Sequence, residues 1–433
     1  MVQSIARPTK ERKHPRDWIE KLLRKHAESN GQKDQNITEN DNNNKIQALT
    51  VAPMVDQSDL PFRLLCRKYG ANLAYTPMIH ARMFCDRVAY RKQFFNLQDG
   101  TPAQDRPLIA QLCGSNPEYM LKAAKWLEPH VDGIDINCGC PQGIAKRGHY
   151  GAFLLEDKQN LIRLVEALSE SLDVPLSVKV RLLPDGIEES LALYQRLVDA
   201  GASMLCIHGR TRFQKAHFTG KADWEAIHQA VLKLGHVVPI LANGSISNMD
   251  EVRACLEVTQ ADGVMVSEAI LEYPPLFCES QTESVDHKRI GFGRVELARQ
   301  YLELCKEYPP NKHGQGTGIK CIRMHMHKML HEDLQKYTNI RTLVSAAESL
   351  DQLHAHLDQI QQLHDQEGHT VEDERMSWYM RHRTKKHANT DDNNDDGSLY
   401  EAEGGEKAES NYQLDDDNAG CMSAMFGNDD DEW

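Results

Sequence analysis

No run of apolar residues in this 433-residue chain approaches the roughly 18 that a membrane-spanning helix requires, so a soluble protein is expected. The N-terminus, MVQSIARPTKERKHPRDW, has neither the apolar segment nor the small-residue cleavage site of a secretory signal, which predicts a reducing setting, cytoplasmic or nuclear. The eleven cysteines are therefore read as thiols. They include no C-x-x-C pair, and Cys138 and Cys140 have no second pair at zinc-like spacing, so no metal site is expected there. His327 and His331 lie one helical turn apart but lack a third ligand nearby. There is no fixed-period repeat, and without secretion Asn36-Ile37-Thr38 is a chance glycosylation match. The GQGTG at 314–318 follows a helical segment and not a strand, which removes it as a dinucleotide fingerprint.

What is present is unevenly placed. The net charge is −14, yet residues 391–433 hold fifteen Asp or Glu against one Lys, leaving 49 acids and 49 bases in residues 1–390. Bases cluster in residues 1–26, with eight Lys or Arg against three acids, and in RHRTKK at 381–386. Such clusters suit a polyanion, and equally suit solvated chain ends. Residues 27–44 are Asn-rich and polar, which predicts a mobile linker within a basic extension spanning 1–45. The acidic tail, 375–433, is expected to be disordered.

Between the extensions, eight short apolar runs alternate with amphipathic segments: IQALTVAP, NLAYTPM, PLIAQL, GIDIN, PLSVKV, SMLCIH, VVPILAN and DGVMVS. Segments such as NPEYMLKAAKWLEPH and DKQNLIRLVEALSESL have helical apolar spacing with Asn or Asp at their starts. That count predicts a TIM (β/α)8 barrel over 46–285, with a doubly wound sheet as the alternative. The runs then stop, and 290–365 reads as a smaller helical domain.

Barrel chemistry sits where strands end. Here the ends carry Pro53-Met54, Gln111, Asn137 through Cys140, Lys179 and Arg181, His208, Asn243-Gly244-Ser245, and Ser267-Glu268. Polar groups converging from seven of eight strands point to a bound polar ligand, and the last two loops are the usual phosphate seat.

With VAPMVDQSDLPFRLLCRKYGANLAYTPMIHARM, the stretch Asn137-Cys138-Gly139-Cys140-Pro141, SVKVR, IHGRTR, LANGSI and GVMVSEA in order and register, the chain resembles the tRNA-dihydrouridine synthases, most closely the eukaryotic branch acting on positions 16 and 17. The resemblance implies a monomeric FMN enzyme that uses NADPH or NADH to reduce tRNA uridines, hydride arriving at C6 and a proton at C5. Cys140 matches the catalytic acid. Pro53, Met54, Val55 and Gln111 match positions that hold the flavin ring, Lys179 and His208 its polar edge, and Asn243, Gly244, Ser245, Ser267 and Glu268 its phosphate side. Many members carry Gly-Arg where this chain has Ser267-Glu268, so phosphate binding there would fall to backbone amides. Asn137 and Arg181 resemble residues that meet the uracil; Lys146, Arg147 and Arg210, with Arg212, Lys215, Lys320, Arg323 and Lys328, are candidates for the RNA backbone. Two other readings stand beside this one: a flavin-barrel reductase of a small molecule, resembling dihydroorotate dehydrogenases, and a catalytically silent tRNA-binding protein.

Overall fold

A computed structural model describes residues 13–29, 46–95, 101–215, 219–278, 292–310, 317–371, 374 and 376–379. Each of the eight apolar runs forms a strand: β1 (Ala48–Val51), β2 (Leu73–Tyr75) with its two-residue continuation β3 (Ile79–His80), β4 (Leu108–Cys113), β5 (Gly133–Cys138), β6 (Leu176–Arg181), β7 (Met204–His208), β8 (Ile240–Asn243) and β9 (Gly263–Val266). All neighbours are parallel. β1 pairs with β9 in the register Ala48 to Gly263, and β2 pairs with β4 at Ala74 to Leu108, so the sheet closes on itself and excludes the open, doubly wound alternative.

The crossover helices start where the sequence can cap them. Asn116 accepts from the amides of Glu118 and Tyr119 at the head of Pro117–Leu127, and Asp157 accepts from Asn160 N at the head of Lys158–Ser171. Strand parity then sorts the side chains. Outward residues such as Leu176, Val178 and Val180 join the core beneath the helices. Inward residues are apolar at the base, where Tyr75, Ile109, Met204, Leu241 and Met265 cluster, and polar towards the strand ends, where Gln111, Asn137, Lys179 and Asn243 lie buried.

The base has a lid that was not expected. Within the extension assigned to 1–45, Trp18–Ser29 is a helix whose Trp18, Ile19 and Leu23 join the barrel's inner cluster. The Trp18 indole donates to Ser203 O at 2.9 Å, and Arg16 grips both carboxylate oxygens of Asp262 at 2.7 and 2.9 Å. Ala27–Ser29, read as the start of the linker, end this helix; the rest of the linker, with Asn36-Ile37-Thr38, lies outside the described residues, as do RHRTKK and the acidic run.

Beyond the barrel come Arg294–Glu307, Thr317–Met329, His331–Lys336, Thr338–Ala346 and Leu350–Glu367. The last two share one apolar-periodic run of the sequence, IRTLVSAAESLDQLHAHLDQIQQL. Ala347 is extended and the Ser349 side chain caps Gln352 N, which breaks the run. This helical part joins the barrel through buried polar groups: Asp59 accepts from the Tyr301 hydroxyl at 2.9 Å and faces His325 Nε2 at 3.4 Å, while the Phe62 ring stacks on His325 with centroids 4.5 Å apart. Burial alone would raise the Asp59 carboxyl, but the charge of His325 and hydrogen bonds from His325 and Tyr301 outweigh it and hold the acid below its ordinary range. Asp59, Cys321 and His325 are the one group of three metal-capable side chains among the described residues. The thiol donates to Asp56 O and the carboxylate is paired, so the group acts as a joint between the two parts.

Replacing Trp18 by Ala removes a buried indole and its hydrogen bond, and is expected to cost about 3–5 kcal/mol. A fall in the urea midpoint of that size checks it, with Lys21→Ala, an exposed position on the same helix, as the control that stays within about 0.5 kcal/mol.

Candidate active site

The inward residues at the strand ends enclose a cavity of about 940 Å³ at the C-terminal mouth of the barrel. Its floor is a chain of side-chain amides. Asp135, fully buried on β5, accepts from Gln111 Nε2 at 2.8 Å and from the Ser177 hydroxyl. Gln111 Oε1 accepts from Asn137 Nδ2 at 2.7 Å, and Asn137 Oδ1 accepts from the amides of Gly139 and Cys140 at 3.1 Å each. Burial pushes the Asp135 carboxyl up to about 6, against the hydrogen bonds from Ser177 and Gln111 and the pull of Lys179. Asp135 escaped the sequence reading, although an acid at an inward position of GIDIN was its signal.

The turn after β5 is therefore fixed from below by one asparagine. It is fixed from the side as well: Arg181 Nε donates to Gly139 O at 2.6 Å, and Cys140 O accepts from Ala152 N at 2.9 Å. Gly151, at φ +63°, backs this turn so closely that a Cβ would fall 2.7 Å from Cys140 O. Cys140 lines the cavity, whereas Cys138 points outward and is wholly buried in the hydrophobic core. Burial raises the Cys140 thiol above its ordinary range; a hydrogen bond from Gln142 N and the charges of Arg181, Lys179 and Lys215 oppose this without cancelling it. At neutral pH the group is a thiol.

Across the cavity, Lys179 Nζ donates to Asn243 Oδ1 at 2.9 Å, and Asn243 Nδ2 donates to Met265 O at 2.8 Å. Burial lowers the Lys179 ammonium, and Arg181 adds to the effect. His208 is held well below the ordinary imidazole range, by burial first and then by Arg181, Lys179 and Arg210, so its ring is neutral. Arg210 Nη1 lies 3.0 Å from His208 Nε2, and a guanidinium only donates, so Nε2 accepts and the proton sits on Nδ1. Gly244, at φ +112°, lets the backbone pass this ring: a Cβ would lie 3.0 Å from His208 Cδ2 and 2.9 Å from the Ala222 methyl. Arg210 also donates to the Ser245 hydroxyl at 3.0 Å.

Of the candidate residues, Pro53, Val55, Gln111, Asn137, Cys140, Arg147, Lys179, Arg181, His208, Arg210, Asn243, Gly244, Ser245, Ser267 and Glu268 all line this one cavity. Two do not. Met54 packs its side chain against the hydrophobic core, and Lys146 sits on the last turn of Gly143–Arg147 outside the wall. Arg212 is taken up by Glu156 and by the Phe153 and Phe213 rings, and Arg323 by Ala347 O; Lys215 is on the wall. Among residues the sequence reading missed, Tyr379 matters most, because it comes from the segment expected to be disordered and yet lines the cavity. The side chain of Glu268, which opens the short helix after β9, is exposed at the mouth.

Comparison with known proteins bears on this arrangement. Residues 50–366 match the family model described as dihydrouridine synthase (Dus). The chain is similar to the tRNA-dihydrouridine(16/17) synthase [NAD(P)(+)] of Saccharomyces cerevisiae, 41% identical over 296 residues that cover 68% of each chain. It is similar to the protein of that name from Schizosaccharomyces pombe, 38% identical over 67% of this chain and 71% of the relative, and to the mouse tRNA-dihydrouridine(16/17) synthase [NAD(P)(+)]-like protein, 39% identical over 70% and 59%. With a closed parallel barrel, a cysteine, a lysine and a histidine around one mouth, and a family match over most of its length, the chain belongs to the dihydrouridine synthase family.

Proposed function

We propose that this protein is an oxidoreductase that converts uridines at positions 16 and 17 of the tRNA D-loop to 5,6-dihydrouridine, taking electrons from NADPH or NADH through FMN, with Cys140 as the acid. The observation that carries this reading is the opening of the Cys140 thiol onto the same cavity as Lys179 and His208. The names of the yeast relatives support the substrate and the positions.

The cavity suits FMN. Pro53, Val55 and Gln111 line the cavity, Lys179 offers a buried cation for the electron-rich edge of the ring, and the loop of Gly244 and Ser245 after β8 lies where such barrels seat a phosphate. Neutral His208, donating from Nδ1, adds a hydrogen bond without a second charge. Exposed Glu268 puts a carboxylate at the mouth where the family resemblance leads one to expect a cation, which leaves the phosphate to backbone amides and to Arg210 beside Ser245. Bound FMN supplies the hydride that saturates the uracil 5,6 bond.

The chain's own residues do the rest. Negative charge that develops towards C5 of the uracil is quenched by a proton from Cys140 Sγ, and the raised thiol keeps that proton in place at neutral pH. Asn137 holds the amides of Gly139 and Cys140, so the thiol is aimed before substrate arrives. Arg181, wedged between Gly139 O and Thr211 O, presents a fixed cation to the uracil carbonyls. A uridine must leave its stack to reach this slot, at a cost of a few kcal/mol that phosphate contacts from Arg147 and Lys215 help to offset.

Two outcomes are expected. Cys140→Ala retains the yellow colour and absorbance of bound FMN but loses at least about 100-fold in uridine reduction, read by mass spectrometry of tRNA from cells that lack the endogenous enzyme; normal dihydrouridine in that strain would overturn the assignment. Because burial raises the Cys140 thiol, its thiolate form is scarce at neutral pH and grows only as pH climbs past the ordinary thiol value of about 8.5. Peptide mapping of iodoacetamide labelling is therefore expected to show a Cys140 rate still rising above pH 9, and a plateau below pH 8 would contradict the environment described.

A further inference from the structure

The wall of the cavity contains one phenyl, phenol or indole ring among the described residues, that of Tyr379, and it comes from a place the barrel does not account for. The match to the family ends at residue 366. Beyond it, the chain returns across the helical part to the rim of the barrel and is held there by an anchor. Glu272, 2% exposed on the short helix after β9, receives three consecutive backbone amides: Ser377 N and Trp378 N on Oε1 at 2.6 and 3.1 Å, and Tyr379 N on Oε2 at 2.8 Å. Arg294 N donates to both oxygens of Glu374 at 3.1 and 3.0 Å, the Ser377 hydroxyl lies 2.9 Å from His331 Nδ1, and Lys328 sits 4.7 Å over the Trp378 ring. Four groups from the barrel and the bundle thus fix four residues, and hydrogen bonds donated to a buried carboxylate are the strong kind.

The segment packs on the hydrophobic core, which Tyr379 joins and against which Met376 and Trp378 lie, and at its end the Tyr379 ring also borders the cavity. The side chain placed there is the one phenol ring among the described residues of a wall otherwise made of aliphatic, thiol, hydroxyl, amide, imidazole, carboxylate and cationic groups, and the chemistry of the site asks for a surface on which an unstacked base can lie. The next residues in sequence include RHRTKK at 381–386, whose sign is that of a polynucleotide partner.

We propose that Tyr379 is a substrate-positioning residue: its ring stacks on a nucleotide of the tRNA brought to the cavity, and the Glu272 anchor holds the ring in place. This rests on the tRNA reading above. The test uses the full-length, FMN-loaded protein with unmodified tRNA, following dihydrouridine formation, flavin content and tRNA binding by fluorescence anisotropy. Tyr379→Ala is expected to raise KM for tRNA about tenfold, with flavin content kept and kcat at saturating tRNA changed far less. Tyr379→Phe, which keeps the ring and drops the hydroxyl, is expected to stay within about twofold. Glu272→Gln turns an NH2 group towards one of the three amides, and its KM is expected to move in the same direction as that of Tyr379→Ala. A Tyr379→Ala protein with unaltered KM and tRNA affinity overturns the proposal; so does one that loses FMN, since the ring would then serve the cofactor, and so does a Tyr379→Phe as impaired as Tyr379→Ala. If the wild-type protein forms no dihydrouridine, it is the parent reading that fails, and the anisotropy of wild-type against Tyr379→Ala still decides whether the ring meets RNA.

Discussion

The side-chain amide of Asn137 occupies the point where backbone geometry turns into chemistry. One end receives the Gly139 and Cys140 amides, the other donates to Gln111, and Gln111 in turn rests on Asp135. A carboxamide is one of the few groups that can accept and donate on opposite sides without carrying charge. An aspartate here would lack the donor and would set a second anion close to buried Asp135, already pushed up to about 6 by desolvation. The direction of the thiol therefore depends on two uncharged amides on adjacent strands, Gln111 and Asn137, and the cations of the site, Lys179, Arg181 and Arg210, are arranged around them, with Arg181 also holding Gly139 O from the side.

Those cations impose the second constraint. Three positive groups share a partly dry space, and burying charge is expensive unless it is paired or hydrogen-bonded. The barrel meets the cost locally: Lys179 on the Asn243 amide, Arg181 on two carbonyls, Arg210 on Ser245, Gly220 O and a neutral His208. None of the three is given a full carboxylate partner in those bonds. What remains is a site of positive potential with uncharged acceptors, suited to anionic ligands and to charge that appears only during reaction.

Much of this was legible in the sequence because parallel barrels write themselves in period two. In SVKVR the valines face the helices and Ser177, Lys179 and Arg181 face the axis, so the residue types alone place the lysine inside. Cys140 stood out because the Gly-x-Pro turn around it follows a strand end. The parts that were not legible share one cause, which is that composition averaged over a segment hides a few decisive contacts. Trp18, Ile19 and Leu23 sit among eight basic residues, and the charge obscured a short apolar face. Trp378-Tyr379 precede a tail dominated by acids, and the aromatic pair in that setting was the available signal. The start of the last helix is legible in Ser349 and Gln352, spaced as a capping pair.

The register of β1 against β9 governs how such a molecule is made. Gly263 lies so close to Ala48 that an added Cβ would fall 2.3 Å from the Ala48 carbonyl, so the seam accepts only the bare backbone of a glycine delivered after nearly the whole barrel has been translated. Parallel pairing between strands so distant in sequence is slow to form, since loop closure must precede its reward. On the ribosome, Cys140 and Lys179 emerge while the cylinder is still open, and Glu272 and Tyr379, which meet at its rim, follow only after the closing strand.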